Sequence, residues 1–149
     1  MPRRSSEAAC AFCQIVRGEI AAYLVASDDR VIAFLDRAPL IKGHVLVAPR
    51  EHVETLDDLR DELVTPLFVA VRRLSIAVQR GLGADGSFVS ANTKISQSVP
   101  HVHVHVVPRR KGDGLFSTRI IWQRQKYASD TEASAIASKI RTAFDSAPR

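Results

Sequence analysis

Five consecutive positions carry three alternating imidazoles, His101-Val102-His103-Val104-His105, followed by Val106, Val107 and Pro108. In an extended strand, successive side chains face opposite sides. The spacing therefore predicts the three histidines on one face and Val102, Val104 and Val106 on the other, against a helix. Imidazole is nucleophilic near neutral pH, and its two ring nitrogens can be hydrogen-bonded separately. A partner accepting from Nδ1–H holds the tautomer that leaves Nε2 free to attack. Alternate residues of a strand lie roughly 6.6 Å apart, which sets the Cα atoms of His101 and His105 about 13 Å apart. Three ligands to one ion from a straight strand fit poorly; one reacting imidazole whose neighbours do something else fits better. A metal site and a mere surface feature are the competing readings of the pattern.

Hydrogen-bonding groups suited to phosphate oxygens accompany the run. Asn92, Gln97 and Ser98 lie just upstream, and His44 follows Gly43 at the start of an earlier strand. Cys10 and Cys13 are the two cysteines, spaced C-x-x-C. That spacing suits half of a tetrahedral metal site, a redox pair, or two buried small hydrophobes. The opening MPRRSSEAAC lacks the apolar stretch of a secretory leader, and a cytoplasmic setting, where disulfide scaffolds are rare, is expected.

The elements that must position these groups read as follows. A chain of 149 residues with 46% hydrophobic content supplies one core, not two. Residues 1–9 are expected to be a flexible N-terminus, and 10–149 a single domain with a C-terminal tail. Residues 10–20 suit a short helix. Strands near 23–27 and 31–35 flank a turn at Asp28 and Asp29, and HVLVAP is a third strand ending at Pro49. Leu56, Leu59, Leu63, Leu67, Val71, Leu74 and Val78 predict a helix over 55–80. Thr55 is its expected cap, Pro66 a kink or restart, and Gly81, Gly83 and Gly86 its terminators. GSFVSAN and VPHVHVHVVP complete the strands, and 132–144 is a final helix. The class is α+β: an antiparallel sheet with one long and one or two short helices. No apolar run is long enough to span a bilayer. The net charge of +5 suits an anionic ligand, but no basic block interleaved with aromatics marks a nucleic-acid groove. Neither membrane nor nucleic acid is an expected partner.

The motif HVHVHVV at 101–107 resembles that of the histidine triad family of nucleotide hydrolases and transferases, His-x-His-x-His followed by two apolar positions. The similarity extends over roughly residues 10–115, through FCQIVRGEI, VIAFLDRAPLIKGHVLVAPREHV and QSVPHVHVHVVPR. The chain resembles the branch of small homodimeric members acting on nucleoside phosphoramidates and related nucleotides, with features shared with diadenosine polyphosphate hydrolases. The resemblance implies His103 as nucleophile, forming a covalent nucleotidyl-histidine that water or another acceptor resolves. It implies that His105 contacts the phosphate and that His44 orients or stabilises the reacting imidazole. Gln97 and Ser98 then hold phosphate and leaving group, and Asn92 a ribose or phosphate contact. Asp36 accepts ribose hydroxyls of a purine nucleotide, and Phe12, Ile15, Phe34 and Leu35 wall the base pocket, unless they are plain core. The segment NTKISQSV departs from the family's longer, Gly-rich connection, which leaves the leaving group open. Arg109 is similar to a residue of members acting on longer polyphosphates, and equally suits an ordinary surface charge.

The same resemblance closes a structural zinc site from Cys10, Cys13, His52 and His101, with four protein ligands and no open position for water. It requires His101 to turn toward the metal while His103 faces substrate. Mg2+ is an expected companion of a polyphosphate substrate only. A homodimer is implied, with the aromatic tail carrying Phe116, Trp122 and Tyr127 reaching the neighbour's pocket or covering its own sheet. The alternative function is a zinc-containing nucleotide-binding or signalling module with little turnover; a metalloenzyme using the histidines as ligands is a third.

Overall fold

The computed structural model describes residues 3–117 and 124–148. It contains α1 (Arg3–Ala9), α2 (Ala11–Val16), β1 (Leu24–Ser27), β2 (Val31–Leu35), β3 (Val45–Pro49), α3 (Asp61–Leu82), β4 (Gly86–Ser90), β5 (Val104–Arg109) and α4 (Asp130–Asp145). The strands form one antiparallel sheet in the order β1-β2-β3-β5-β4. The fold is thus α+β, as the pattern of elements predicts. Residues 3–9, within the segment expected to be a flexible N-terminus, form the short helix α1.

Strands β2 and β3 are buried at every position because both faces of the sheet are covered. On one face Val31, Ala33, Leu35, Val45, Val47, Val102, Val104 and Val106 pack against α3 and α4. On the other, Ile32, Phe34, Leu46 and Ala48 meet Cys10, Phe12 and Cys13 of the α2 region. The valines between the histidines sit in the helical layer as their alternation predicts. The imidazoles consequently share the α2 face.

Helix α3 begins at Asp61, later than the leucine spacing suggests. Leu56–Asp58 form a separate 3-10 turn, and Leu59 and Arg60 are extended. Thr55 donates its hydroxyl to Asp58 Oδ2 at 2.6 Å instead of capping a backbone amide. Pro66 does not restart the helix, which runs unbroken to Leu82. Its missing N–H leaves the Glu62 carbonyl without its helical donor; Arg30 Nη1 approaches that oxygen at 3.5 Å. Burial of Leu63, Leu67, Val71, Leu74 and Val78 carries the helix through. At α4, Ser129 accepts from the Glu132 amide at 3.1 Å, and Glu132 reaches back to the Ala128 amide. This reciprocal cap starts the helix at Asp130.

The glycines divide the work of ending α3. Gly83, with φ 62°, is the left-handed cap whose N–H returns to the Gln79 carbonyl. Gly81 lies inside the helix, where a Cβ would stand 2.6 Å from the Lys139 carbonyl oxygen of α4. Its role is close helix approach. Gly81→Ala gains helix propensity of up to about 1 kcal/mol but forces two backbones apart, so a net loss of roughly 1–2 kcal/mol in unfolding free energy is expected. Urea denaturation checks this; an unchanged midpoint would show that α4 yields freely.

Candidate active site and metal cluster

The histidine run is only partly a strand. β5 begins at Val104, and the chain bends at His101, whose amide donates to the Val99 carbonyl at 2.8 Å. The Val102 amide then reaches the Val53 carbonyl at 2.7 Å. This bend replaces the straight-strand geometry and lets neighbouring imidazoles point at different targets. His101 turns into the cysteine cluster. His103 and His105 stay together, with ring centroids 5.0 Å apart.

Hydrogen bonds assign each ring its tautomer. His103 donates from Nδ1 to the His101 carbonyl at 2.7 Å. Its Nε2 keeps a free lone pair. Burial pushes its pKa down, against the opposing effect of that bond, so the ring is neutral near pH 7. His44 is fully buried, and its Nδ1 accepts from the Leu40 amide at 3.1 Å. A nitrogen that accepts carries no proton, so the His44 proton is on Nε2, which stands 2.8 Å from His105 Nδ1. His105 therefore accepts at Nδ1 and presents Nε2–H as a donor. His44 thus orients His105, and the main chain of His101 orients His103.

Phe12 stands edge-on to His103 at 5.0 Å and to Phe34 at 5.1 Å, and Ile15 packs beside them. These three form an apolar wall on the imidazole face. Leu35 does not join it. As the next residue after Phe34 it faces the helical layer, which strand alternation dictates. Leu46, directly across from His105 in the ladder, is an apolar neighbour that the sequence reading missed.

Asp36 follows β2 at the edge of the site. Its Oδ1 accepts from the Ala38 amide at 2.9 Å, and its Oδ2 lies 3.8 Å from His44 Nδ1. Arg124, also unforeseen, donates to the same Oδ2 at 3.1 Å. Asp36, His44 and His105 are close enough to suggest an ion site. However, Asp36 and His105 address opposite nitrogens of His44, and the 2.8 Å contact is a hydrogen bond, shorter than the edge of a metal polyhedron.

Asn92, Gln97 and Ser98 lie in the β4–β5 loop. Gln97 spends its side chain on that loop: Oε1 accepts from the Lys94 amide at 2.9 Å, and Nε2 donates to the carbonyls of Glu54 and Val99 at 2.6 and 3.2 Å. Asn92 Nδ2 donates to the Ser96 carbonyl at 3.2 Å, and Ser98 is exposed. Lys94 and Ser96 adopt positive φ, 69° and 60°, without the glycines such conformations favour. The loop is built by side-chain-to-backbone bonds where a Gly-rich loop needs none.

Arg109 is held by Asp113 through bonds of 2.6 and 2.8 Å, and its guanidinium lies over Phe116. It is a tail anchor. Tyr127 accepts from the Gly43 amide at 3.1 Å and packs on its own subunit's core. Trp122 lies outside the described residues.

Cys10, Cys13, His52 and His101 converge from α2, the end of β3 and the bend. Their ligand atoms all lie within 4.8 Å of one another. Cys13 Sγ is 3.2 Å from His52 Nδ1 and 3.6 Å from His101 Nδ1; Cys10 Sγ is 3.4 Å from His101 Nδ1. Metal–sulfur bonds of about 2.3 Å and metal–nitrogen bonds of about 2.0 Å give tetrahedral sulfur–nitrogen edges of about 3.5 Å, which these match. His101 Nε2 donates to the Pro49 carbonyl at 2.8 Å, fixing Nδ1 as the free lone pair. Burial first, then the neighbouring Cys10, pushes the Cys13 thiol up to about 12. A cation is the counterpart that would hold it as thiolate. The cluster is able to coordinate a metal ion.

Fold and site together define an α+β domain built around a histidine triad. The sequence matches the HIT domain over residues 17–112. A HIT-like protein of Saccharolobus solfataricus is 46% identical over 101 residues, 66% of this chain and 73% of that one. The adenylylsulfatase HINT3 of Arabidopsis thaliana is 31% identical over 141 residues, 93% of this chain and 71% of that one. The crystal structure of a Zn-bound histidine triad family protein from Mycobacterium smegmatis superposes with TM-score 0.81 at 31% identity, covering 94% of this chain and 96% of the other. The chain belongs to the histidine triad family and carries the site of its nucleotidyl hydrolase and transferase chemistry. Among the described residues, no helix is long and apolar enough to cross a membrane.

The neutral imidazoles make stability pH-dependent. Burial pushes His44 down to about 3 and His105 down to about 4, with like-charge effects adding in both. Below about pH 6.5 the unfolded chain protonates these rings while the folded chain keeps them neutral. Unfolding free energy therefore falls as pH drops from about 6.5 toward 4, by up to ~1.4 kcal/mol per pH unit for each ring. Denaturant midpoints at pH 7 and 4.5 check this; equal midpoints would refute the buried neutral pair.

Proposed function

We propose that the protein cleaves purine nucleotides carrying a leaving group on the phosphate, through a covalent nucleotidyl-histidine on His103. The observation that carries this reading is the 2.7 Å bond from His103 Nδ1 to the His101 carbonyl. It leaves Nε2 as the only basic nitrogen of a neutral ring. In the first step Nε2 forms a bond to phosphorus, and the bond from phosphorus to the leaving nitrogen or oxygen breaks. The ring becomes cationic, and the carbonyl already accepting from Nδ1–H stabilises that charge. His105 Nε2–H, backed by His44, donates to the phosphate or to the departing atom. Water then attacks the phosphorus, the histidine bond breaks, and the monophosphate leaves with a hydroxyl in place of the ring, the second proton of that water replacing the one taken up by the leaving group. Asp36 is placed on the ribose hydroxyls, Phe12, Phe34 and Ile15 on the base, and Asn92, Gln97 and Ser98 along the phosphate side.

Phosphoramidates and dinucleoside polyphosphates are the substrate classes proposed. Mg2+ is assigned only to the polyphosphate ligand. The adenylylsulfatase relative supports an adenylylated phosphate with a small leaving group. Intact mass after brief mixing with an adenosine phosphoramidate or diadenosine polyphosphate tests the scheme. Wild type should gain one nucleoside monophosphate transiently. His103→Ala should gain none and lose on the order of 10³-fold or more in turnover. Bound nucleotide with neither adduct nor product would overturn the enzyme reading in favour of a binding module.

Zinc is proposed for the cysteine–histidine cluster, where its chemistry would be that of a cross-link between α2, the end of β3 and the His101 bend. A homodimer is proposed through the β4 edge, supported by Val89 there and Phe68 on the adjacent α3, both about two-fifths exposed. Native mass spectrometry addresses both. The expected mass is two chains with two zinc ions, and Cys13→Ser should lose the metal. A metal-free monomer would overturn both.

A further inference from the structure

The segment 124–127 lies beyond the family match, yet it grips the loop that carries the site. The Gln125 amide donates to the Pro39 carbonyl at 2.7 Å, and Gln125 Oε1 accepts from the Lys42 amide at 2.8 Å. Tyr127 takes the Gly43 amide at 3.1 Å. Arg124 donates to Asp36 Oδ2 at 3.1 Å and to the Ala38 carbonyl. All five contacts fall on residues 36–43, from the site carboxylate to the residue before His44.

One of them bears on chemistry. His44 Nδ1 has two competing partners: the Leu40 amide at 3.1 Å, which needs a bare nitrogen, and Asp36 Oδ2 at 3.8 Å, which would favour a protonated one. Only the first arrangement leaves His44 neutral with its proton on Nε2, pointing to His105 at 2.8 Å. Arg124 stands on the carboxylate oxygen that faces His44. We infer that Arg124 is a positioning residue for the proposed reaction: by engaging Asp36 it withholds the carboxylate from His44, keeps Nδ1 as the acceptor of the Leu40 amide, and so aims the His44–His105 bond toward the phosphate.

The charges around His44 are consistent with this balance. It is faced by Asp36 at the end of β2, by Arg124 from the tail, and by His103 and His105 of the histidine run. Behind Gly43 lie the Tyr127 hydroxyl and the Lys42–Glu132 ion pair. Burial is the largest influence holding His44 neutral; Asp36 opposes it and Arg124 assists it. Removing Arg124 leaves an uncompensated carboxylate beside a buried imidazole. The expected response is that Nδ1 takes the ring proton to face Asp36, that the Leu40 bond is lost, and that Nε2, left bare, no longer donates to His105.

The inference rests on the proposed reaction for its consequence, but its physical content is tested without turnover. Imidazole nitrogen shifts of the full chain at pH 7 should show wild-type His44 and His105 each with bare Nδ1 and protonated Nε2. Arg124→Gln should move the His44 proton from Nε2 to Nδ1, with the ring still neutral. In kinetics, kcat should fall on the order of tenfold or more with KM little changed. Arg124→Lys should keep the wild-type pattern, because the charge stays. Arg124→Gln combined with Asp36→Asn should restore the Nε2–H tautomer, which a purely structural loss of the tail contact would not do. A wild-type spectrum in Arg124→Gln would overturn the inference. So would a perturbed spectrum that Asp36→Asn fails to restore. If wild type turns over no nucleotide, the proposed function falls while the spectra still decide the role of Arg124.

Discussion

The peptide unit of His101 is the constraint on which the rest of the site depends. Its carbonyl takes the Nδ1 proton of His103 at 2.7 Å, and its amide closes the bend with Val99. Its own ring is fixed at the other end by the Pro49 carbonyl and aimed at the cysteines. One residue therefore couples the cysteine–histidine cluster to the orientation of the His103 imidazole. A shift of that backbone would turn the His103 ring, whose link to the cluster is its bond to the His101 main chain. Orientation by a main-chain carbonyl has a chemical advantage over a carboxylate: it holds the tautomer without charging the ring.

A second layer of control lies on the opposite side, in the loop from Asp36 to His44. The relay Leu40 N–H to His44 to His105 consists of neutral groups in a dry environment, where each bond depends on the direction of the next. Such a chain is sensitive to one stray charge. Asp36 is that charge, and it sits at the rim where a ribose would be met. Arg124 on its outer oxygen lets a carboxylate coexist with a neutral relay.

The two faces of the sheet divide labour. Valines 102, 104 and 106 lock the run into the helical layer, while the intervening imidazoles work against α2. Strongly apolar packing on one side permits a face rich in polar rings on the other. Close approach of α3 and α4 at Gly81 sets that layer, and the Tyr127 hydroxyl on the Gly43 amide joins the chain leading into α4 to the loop bearing His44.

Much of this was legible in residue order. Alternation placed the valines and imidazoles on opposite faces, and the same period, applied to Phe34 and Leu35, would have removed Leu35 from the pocket. C-x-x-C allowed a metal half-site among its readings, and the leucine spacing placed the end of α3 to within a turn but its start nearly two turns early. What residue order could not carry were the events governed by contacts distant in the chain. The bend at His101 exists because Val102 pairs with Val53. The helix continues through Pro66 because its buried stripe outweighs one missing bond. The partner of His44 is His105, 61 positions away. Arg124 meets Asp36 across 88 positions, with no local signal to mark it. Periodicity decides which face a side chain takes, since it follows from backbone geometry alone. Tertiary packing decides which atom of that side chain meets which partner, since tautomer and charge are set by neighbours that only the folded chain brings together.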